Sequence, residues 1–235
     1  MLQRYSLVLS CEHGGCELPP GYEPLFQDHQ ELLHSHRGWD PGALELARTI
    51  ARTTGAPLYT TTVSRLLVEM NRSRGNPALF SAQSWALDDA SREELALDFH
   101  DGYWNRVAAE VDALLTRGQT VVHLAVHTFT PELDGEVRQT EIGLLYDPVR
   151  MGETELCLRW EELLHTARPD LRITHNYPYS GTADGVVTAL RADRLDRQYV
   201  GVEIEVNQAF ALGLKPGWEV MQQDIAETVV KLLAG

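Results

Sequence analysis

A few histidines and carboxylates sit where a folded chain could gather them around a cation. His13 lies in Ser10-Cys11-Glu12-His13-Gly14-Gly15, directly after a short apolar run, and the paired glycines let backbone approach a ligand closely. Neutral imidazole is a common metal ligand, so His13 is the first metal candidate, against the plainer reading of a loop histidine bonded to backbone. His123 and His127 fall in Thr120-Val121-Val122-His123-Leu124-Ala125-Val126-His127. If that run is a strand, both project from one face, but only His127 stands at its exit. His123 then reads as a histidine satisfied inside a sheet. The run Tyr199-Val200-Gly201-Val202-Glu203-Ile204-Glu205-Val206 puts the valines and Ile204 on one face and Glu203 and Glu205 together on the other. On an edge strand such a pair is simply solvated. On a strand buried on both faces it needs partners or a cation, and the pattern alone leaves both readings open.

Asp40 precedes Pro41 and so reads as a helix cap with proline at the first helical position. It also follows His34, His36 and Trp39, and capping does not preclude ligation. Glu17, four residues after His13, is a further possible ligand. Arg65, Arg72, Arg138 and Arg191 supply guanidinium forks that match a substrate carboxylate, or else pair internally with the abundant acidic residues. Cys11, Cys16 and Cys157 are an odd set with no second Cys/His pair at zinc-finger spacing, which marks them as ordinary reduced thiols.

The elements that must position these groups are legible from composition and periodicity. The chain has 235 residues, 43% hydrophobic and 23% charged, enough for a full core. With 20 Lys+Arg against 34 Asp+Glu its formal charge is -14, which argues against nucleic-acid and anionic-membrane partners. Any anionic ligand must be caught by a local group of arginines. No apolar stretch approaches the roughly 20 residues of a membrane span, and the start is too short an apolar segment for a secretory signal, so a cytoplasmic protein is expected. Without repeats or long linkers, one domain over residues 1–235 is the simplest organisation, with residues 86–90 as a loop. Strand-like runs at residues 5–10, 58–63, 120–126, 142–146, 171–174 and 199–206 alternate with helical patterns. Those helices are expected at 41–53, from a capping box at Ser91 to about Thr116, and at 217–233. The alternation predicts an α/β domain with a mostly parallel central sheet, whose ligands gather beyond the carboxyl ends of the strands.

Taken in order, several segments resemble the N-formylglutamate amidohydrolases. They are Cys11-Glu12-His13-Gly14-Gly15, His36-x-x-Trp39-Asp40-Pro41-Gly42-Ala43, Ser64-Arg65-Leu66 with Asn71-Arg72, His127-Thr128-Phe129-Thr130-Pro131, Asn176-Tyr177-Pro178-Tyr179-Ser180-Gly181 and Gly201-Val202-Glu203-Ile204-Glu205-Val206-Asn207-Gln208. The resemblance implies a three-layer α/β fold, phosphorylase/hydrolase-like, as in zinc-dependent exopeptidases. Its central sheet is mostly parallel or mixed, with helices on both faces. It also implies one zinc ion and hydrolysis of the amide bond of a small acidic N-acyl amino acid, possibly N-formylglutamate.

Carried onto this chain, the pattern of the wider carboxypeptidase and aspartoacylase-like group falls on His13, Asn71-Arg72, His127 and either Glu203 or Glu205. Those relatives place a glutamate ligand three residues after the first histidine, where this chain has Cys16, which gives the third ligand position to Asp40, with Glu17 in reserve. The segment around His13 also departs from the Pro-His-Ser-Gly-like sequence typical of the family. By the same resemblance Glu205, or alternatively Glu203, is the general base. Asn71, Arg72 and Arg138 bind substrate, and Tyr179 closes over it or donates to the oxyanion. Two other readings stand beside this one: an inactive member that binds an acidic metabolite or a protein partner, and a deacylase or exopeptidase of other N-capped amino acids.

Overall fold

A computed structural model describes residues 5–234. In chain order its elements begin with β1 (Tyr5–Cys11), α1 (Gln30–Leu33), α2 (Ala43–Thr54), β2 (Leu58–Thr60), α3 (Asp89–Leu95) and α4 (Gly102–Thr116). They continue with β3 (Thr120–Phe129), β4 (Glu132–Leu133), β5 (Glu136–Val137), β6 (Ile142–Leu145), α5 (Met151–Ala167), β7 (Ile173–His175), α6 (Val186–Ala192), β8 (Tyr199–Asn207) and α7 (Trp218–Leu233).

Six strands form one sheet in the order β2-β1-β3-β8-β6-β7. β2, β1, β3 and β8 run parallel, while β6 is antiparallel to β8 and β7 parallel to β6, so the sheet is mixed. β3 and β8 are the long central pair, buried along almost their whole length, as near-continuous apolar strands covered on both faces must be. Their register sets His127 opposite Glu205, Ala125 opposite Glu203 and His123 opposite Gly201.

One face of the sheet, with Leu7, Leu9, Val122, Leu124, Val202 and Ile204, packs against α2, α5 and α7 through Leu46, Ile50, Trp160, Met221 and Ile225. The other, with Val8, Val121, Ala125 and Tyr199, packs on α4 and α6 through Tyr103, Val107, Val111 and Val187. These are the three layers. Each fully buried Val, Leu or Ile side chain contributes about 1.5 to 3 kcal/mol. The second face also carries His127, Glu203 and Glu205, so the polar site opens among that apolar packing, toward the carboxyl ends of β1, β3 and β8. No helix among the described residues is long and apolar enough to cross a membrane.

Four local expectations are corrected. The helix after Asp40 begins at Ala43 with Gly42 as its cap, and Gly42 has φ +88°, which a side chain rarely adopts. Asp40 therefore caps nothing with its carboxylate, which turns to the histidines instead. The helix expected from Ser91 starts earlier, because Asp88 is the cap and its Oδ1 accepts the Ser91 backbone N–H at 2.8 Å. It is then interrupted by a π-helical turn at Ala96–Asp101 before α4 continues. The strand expected at 58–63 is only Leu58–Thr60, and the one at 171–174 lies at Ile173–His175. A small hairpin, β4 and β5, was signalled by Asp134-Gly135, both at positive φ, but was not anticipated.

Candidate metal centre and pocket

The chain leaves β1 into His13, reaches Asp40 just before α2, and returns to His127 in β3. His13 Nδ1 lies 3.2 Å and His127 Nδ1 3.0 Å from the same atom, Asp40 Oδ2. All three residues are buried, and one ligand atom from each lies within 4.8 Å of the others. The far ring nitrogens are held as well: His13 Nε2 is 2.5 Å from Glu69 Oε1, and His127 Nε2 forms a 3.0 Å ion pair with Glu12 Oε2. A carboxylate behind each imidazole fixes the ring so that Nδ1 faces inward, the arrangement that carries metal-binding histidines. Two imidazole nitrogens and one carboxylate oxygen converging in a buried pocket match the donor set of a catalytic zinc site.

The charges around the rings favour a cation, whether a proton on His127 or a metal ion that displaces it. Burial alone opposes ionisation of Asp40, yet the His13 charge and hydrogen bonds from both histidines hold its carboxyl far below the usual range. Glu12 is likewise buried, and His127, Ser10 and Tyr103 bring it down to about 2. Burial works against charge on His127 too, but Asp40 and Glu12 together push its pKa well up. These carboxylates are therefore ionised at neutral pH, the state in which a divalent cation is bound.

Glu69 is held in turn by Arg65, whose Nε donates at 2.7 Å, and by the Asn71 backbone N–H at 2.9 Å. Arg65 NH1 also reaches Asp40 Oδ1 at 3.4 Å. Glu12 and Glu69 did not figure among the expected site residues. A usable signal existed for Glu69, a lone charge inside the apolar run Leu66-Leu67-Val68-Glu69-Met70.

Beside this cage opens a cavity of about 300 Å³, lined among others by Arg65, Asn71, Arg72, Tyr179, Glu203 and Glu205. β8 lies between β3 and β6, so its two glutamates are interior and the edge-strand reading fails. Glu205 Oε2 is buried with no hydrogen-bond partner among the described residues. Burial, with Asp40 and Glu203 nearby, pushes the Glu205 pKa up to about 8. Burial raises Glu203 as well. Opposite Glu205 stands Gly143, where a Cβ would meet Tyr177 O at 2.2 Å, so a larger residue would force the Tyr177 backbone to move.

Arg72 NH1 donates to two backbone carbonyls, Asn71 O at 2.6 Å and Asp184 O at 3.0 Å. Asn71 uses its Oδ1 to accept the Val186 N–H. Tyr179 stands at the mouth, half exposed, and Arg138 NH1 donates to its hydroxyl at 3.2 Å, which puts Arg138 on the rim rather than in the lining. Glu17 is not brought to the cage: it is exposed and accepts from Thr62 Oγ1 at 2.6 Å, because the chain turns away to bridge Val63. Arg191 is committed elsewhere, to Glu153 and to the carbonyls of Gly181 and Gly201. His123 is satisfied by the Tyr199 hydroxyl and Ser10 Oγ. The three cysteines are free thiols, Cys11 and Cys157 buried.

Residues 5–212 match the sequence model of the family N-formylglutamate amidohydrolase. Gene product Atu2144 from Agrobacterium tumefaciens has a crystal structure similar to this one, with TM-score 0.78 and 26% identity over 99% of this chain and 90% of that one. The N-formylglutamate amidohydrolase from Ralstonia eutropha JMP134 shares the fold, with TM-score 0.73 and 16% identity over 99% of this chain and 94% of the other. No protein with a curated description matches.

Proposed function

Because the chain belongs to the N-formylglutamate amidohydrolase family, we propose that it is a zinc-dependent hydrolase cleaving the amide bond of an N-formyl or other N-acyl amino acid, N-formylglutamate being the first to try. The observation that carries this reading is the convergence of His13 Nδ1 and His127 Nδ1 on Asp40 Oδ2, with a buried carboxylate behind each ring. His13, His127 and Asp40 would hold one zinc ion. The chemistry zinc supplies when bound is Lewis acidity, which polarises an amide carbonyl and makes water easier to ionise.

The remaining roles fall to the protein's own groups. Glu205, opposite His127 and without a partner for Oε2, is the general base that takes the proton of the attacking water. Once it holds that proton, Glu205 can return it to the departing amine nitrogen. Glu203, one pleat deeper on the same face, is the alternative base. Arg65 borders the cage and the cavity and is placed to donate to the developing oxyanion. Arg72 and Asn71 in the lining, with Arg138 and Tyr179 at the mouth, bind the carboxylates of the substrate. The substrate is thus a small acidic N-acyl amino acid. A net charge of -14 favours neither a nucleic-acid nor an anionic-membrane partner, and the expected setting is the cytoplasm.

The test is metal analysis of protein purified without added metal, together with amine release from a panel of N-formyl and N-acetyl amino acids. About one equivalent of zinc and selective turnover of acidic members is the expected result. A metal-free protein that cleaves nothing after zinc is restored overturns the reading. Turnover of N-acetyl but not N-formyl substrates instead assigns it to deacylation of other N-capped amino acids.

A further inference from the structure

The turn from Met70 to Ser73 lies in no helix or strand, so nothing regular satisfies its carbonyl groups. Each is bound nonetheless. Trp104 Nε1 donates to Met70 O at 2.6 Å, Arg72 NH1 to Asn71 O at 2.6 Å, His100 Nε2 to Arg72 O at 2.7 Å and the Asn76 N–H to Ser73 O at 2.9 Å. A carbonyl can only accept, so His100 carries a proton on Nε2. Its Nδ1 faces Asp101 Oδ1 at 2.8 Å, and Asp101 is 3.4 Å from Arg74 Nε. The imidazole stacks on Trp104, with centroids 4.8 Å apart and planes at 28°.

His100 lies in the π-helical turn at Ala96–Asp101, and Trp104 follows in the first turn of α4. A π turn adds a residue to a helix, and natural helices keep such insertions mostly where a side chain must be aimed. Here the insertion brings a fully buried histidine against the backbone of a pocket-lining arginine. Arg72 is then fixed at two points: its guanidinium on Asp184 O and its own carbonyl on His100.

We propose that His100 is a positioning residue for Arg72, holding the Met70 to Ser73 turn from behind so that the remaining guanidinium N–H groups present a fixed fork to a substrate carboxylate. The inference rests on the role given to Arg72 above. It concerns binding more than turnover: Glu205, His127 and His13 stand on or beside strands, and where the turn touches the cage, at the Asn71 N–H on Glu69, that carboxylate is also held by Arg65. Losing the anchor therefore weakens the grip on the carboxylate in ground and transition states alike, which raises KM and leaves kcat nearly unchanged.

Two polar variants separate this role from mere packing. In His100→Gln the amide nitrogen reaches the place of Nε2 and can still donate to Arg72 O. In His100→Asn it reaches only the place of Nδ1. Both are measured on zinc-loaded protein, as KM and kcat with the best-cleaved N-acyl amino acid and as Kd for glutarate by calorimetry. His100→Asn is expected to raise KM and the glutarate Kd about fivefold or more, the scale of one hydrogen bond, with His100→Gln within about twofold of the native protein. In an Arg72→Ala background, His100→Asn should add less than about twofold, since coupled residues are not additive. Equal defects in the Gln and Asn variants, or full additivity with Arg72→Ala, overturn the proposal while leaving Arg72 in its role. If Arg72→Ala itself changes neither KM nor the glutarate Kd, the reading of Arg72 falls and this inference falls with it.

Discussion

Strand β3 carries two buried histidines on one face, four residues apart, with opposite chemistry. His123 meets two hydroxyls, Tyr199 OH at 2.7 Å and Ser10 Oγ at 2.9 Å, and burial lowers its pKa to about 4. His127 meets two carboxylates, Asp40 and Glu12, each at 3.0 Å, and they push its pKa well up. Hydroxyls can turn to suit a neutral ring, whereas carboxylates only accept and leave negative charge to be neutralised. The same residue on the same strand is thus satisfied and neutral in one place and set among anions, as the proposed metal site requires, in the other. The difference lies in the anions around it.

The sharpest way to break this comparison is to remove each ring. His127→Ala, like His13→Ala, should strip the metal and abolish hydrolysis. His123→Gln should keep stoichiometric zinc and cost only about 1 to 3 kcal/mol of stability, the range for a disturbed buried polar group. Metal analysis and urea unfolding decide it, and a His127→Ala protein that retains its zinc would falsify the contrast.

Next in size is the glutamate facing His127. Glu205→Gln should lower kcat about 10²- to 10⁴-fold with zinc content unchanged, and Glu203→Gln, opposite Ala125 instead, should cost less. If steady-state kinetics rank the two the other way round, the base is Glu203.

A smaller effect is expected from the carboxylate behind His127. Glu12→Gln should weaken zinc binding about 10- to 100-fold in competition with a chelator, the usual consequence of losing such a partner. Tyr199→Phe, which removes the hydroxyl partner of His123 Nδ1, should leave zinc affinity alone. Equal zinc affinities in the two variants would dissolve the distinction between the deep histidine and the exit histidine.

The smallest effect is on the pH dependence of stability in metal-free protein. Glu205 is raised from 4.5 to about 8 by folding, so the folded state holds that proton more tightly than the unfolded chain. Its contribution is complete below pH 4.5 and is lost as pH rises through 8, and His127, also raised, adds to the loss on the alkaline side. Glu12, lowered from 4.5 to about 2, acts in the opposite sense: its contribution is present above 4.5 and lost as pH falls through 2. Urea midpoints across this range should decline toward pH 8 and decline less in Glu205→Gln. A slope identical in the two proteins would show that Glu205 does not carry it.

Much of this arrangement was legible because period-two alternation and strand exits are local signals. They indicated the layered α/β fold and singled out His13, His127 and the paired glutamates. Asp40 was visible through its neighbours His34, His36 and Trp39, although helix capping competed with that reading. Glu69 stands out as a lone charge in an apolar run, but its partner does not, because it reaches His13 across 56 residues through packing that no window of sequence contains. Glu12 escaped notice for a subtler reason: it adjoins His13 in the chain but serves His127. The reversed direction of β6 was equally hidden, since periodicity records which face a residue occupies and not which way its strand runs. The π turn was missed because a single added residue leaves helical spacing nearly intact.

The stretch joining β3 to β6 is where such a protein can diversify. It leaves the sheet just past His127, folds into the small β4 and β5 hairpin, and carries Arg138 to the rim beside Tyr179. The cage rests on Asp40, His13 and a central strand, while this rim rests on a surface excursion that supplies none of the cage's donors. Surface connections accept insertion and deletion far more readily than sheet cores. The rim around Arg138 and Tyr179 can therefore drift, lengthen or be recut in descendants while the buried cage is inherited intact.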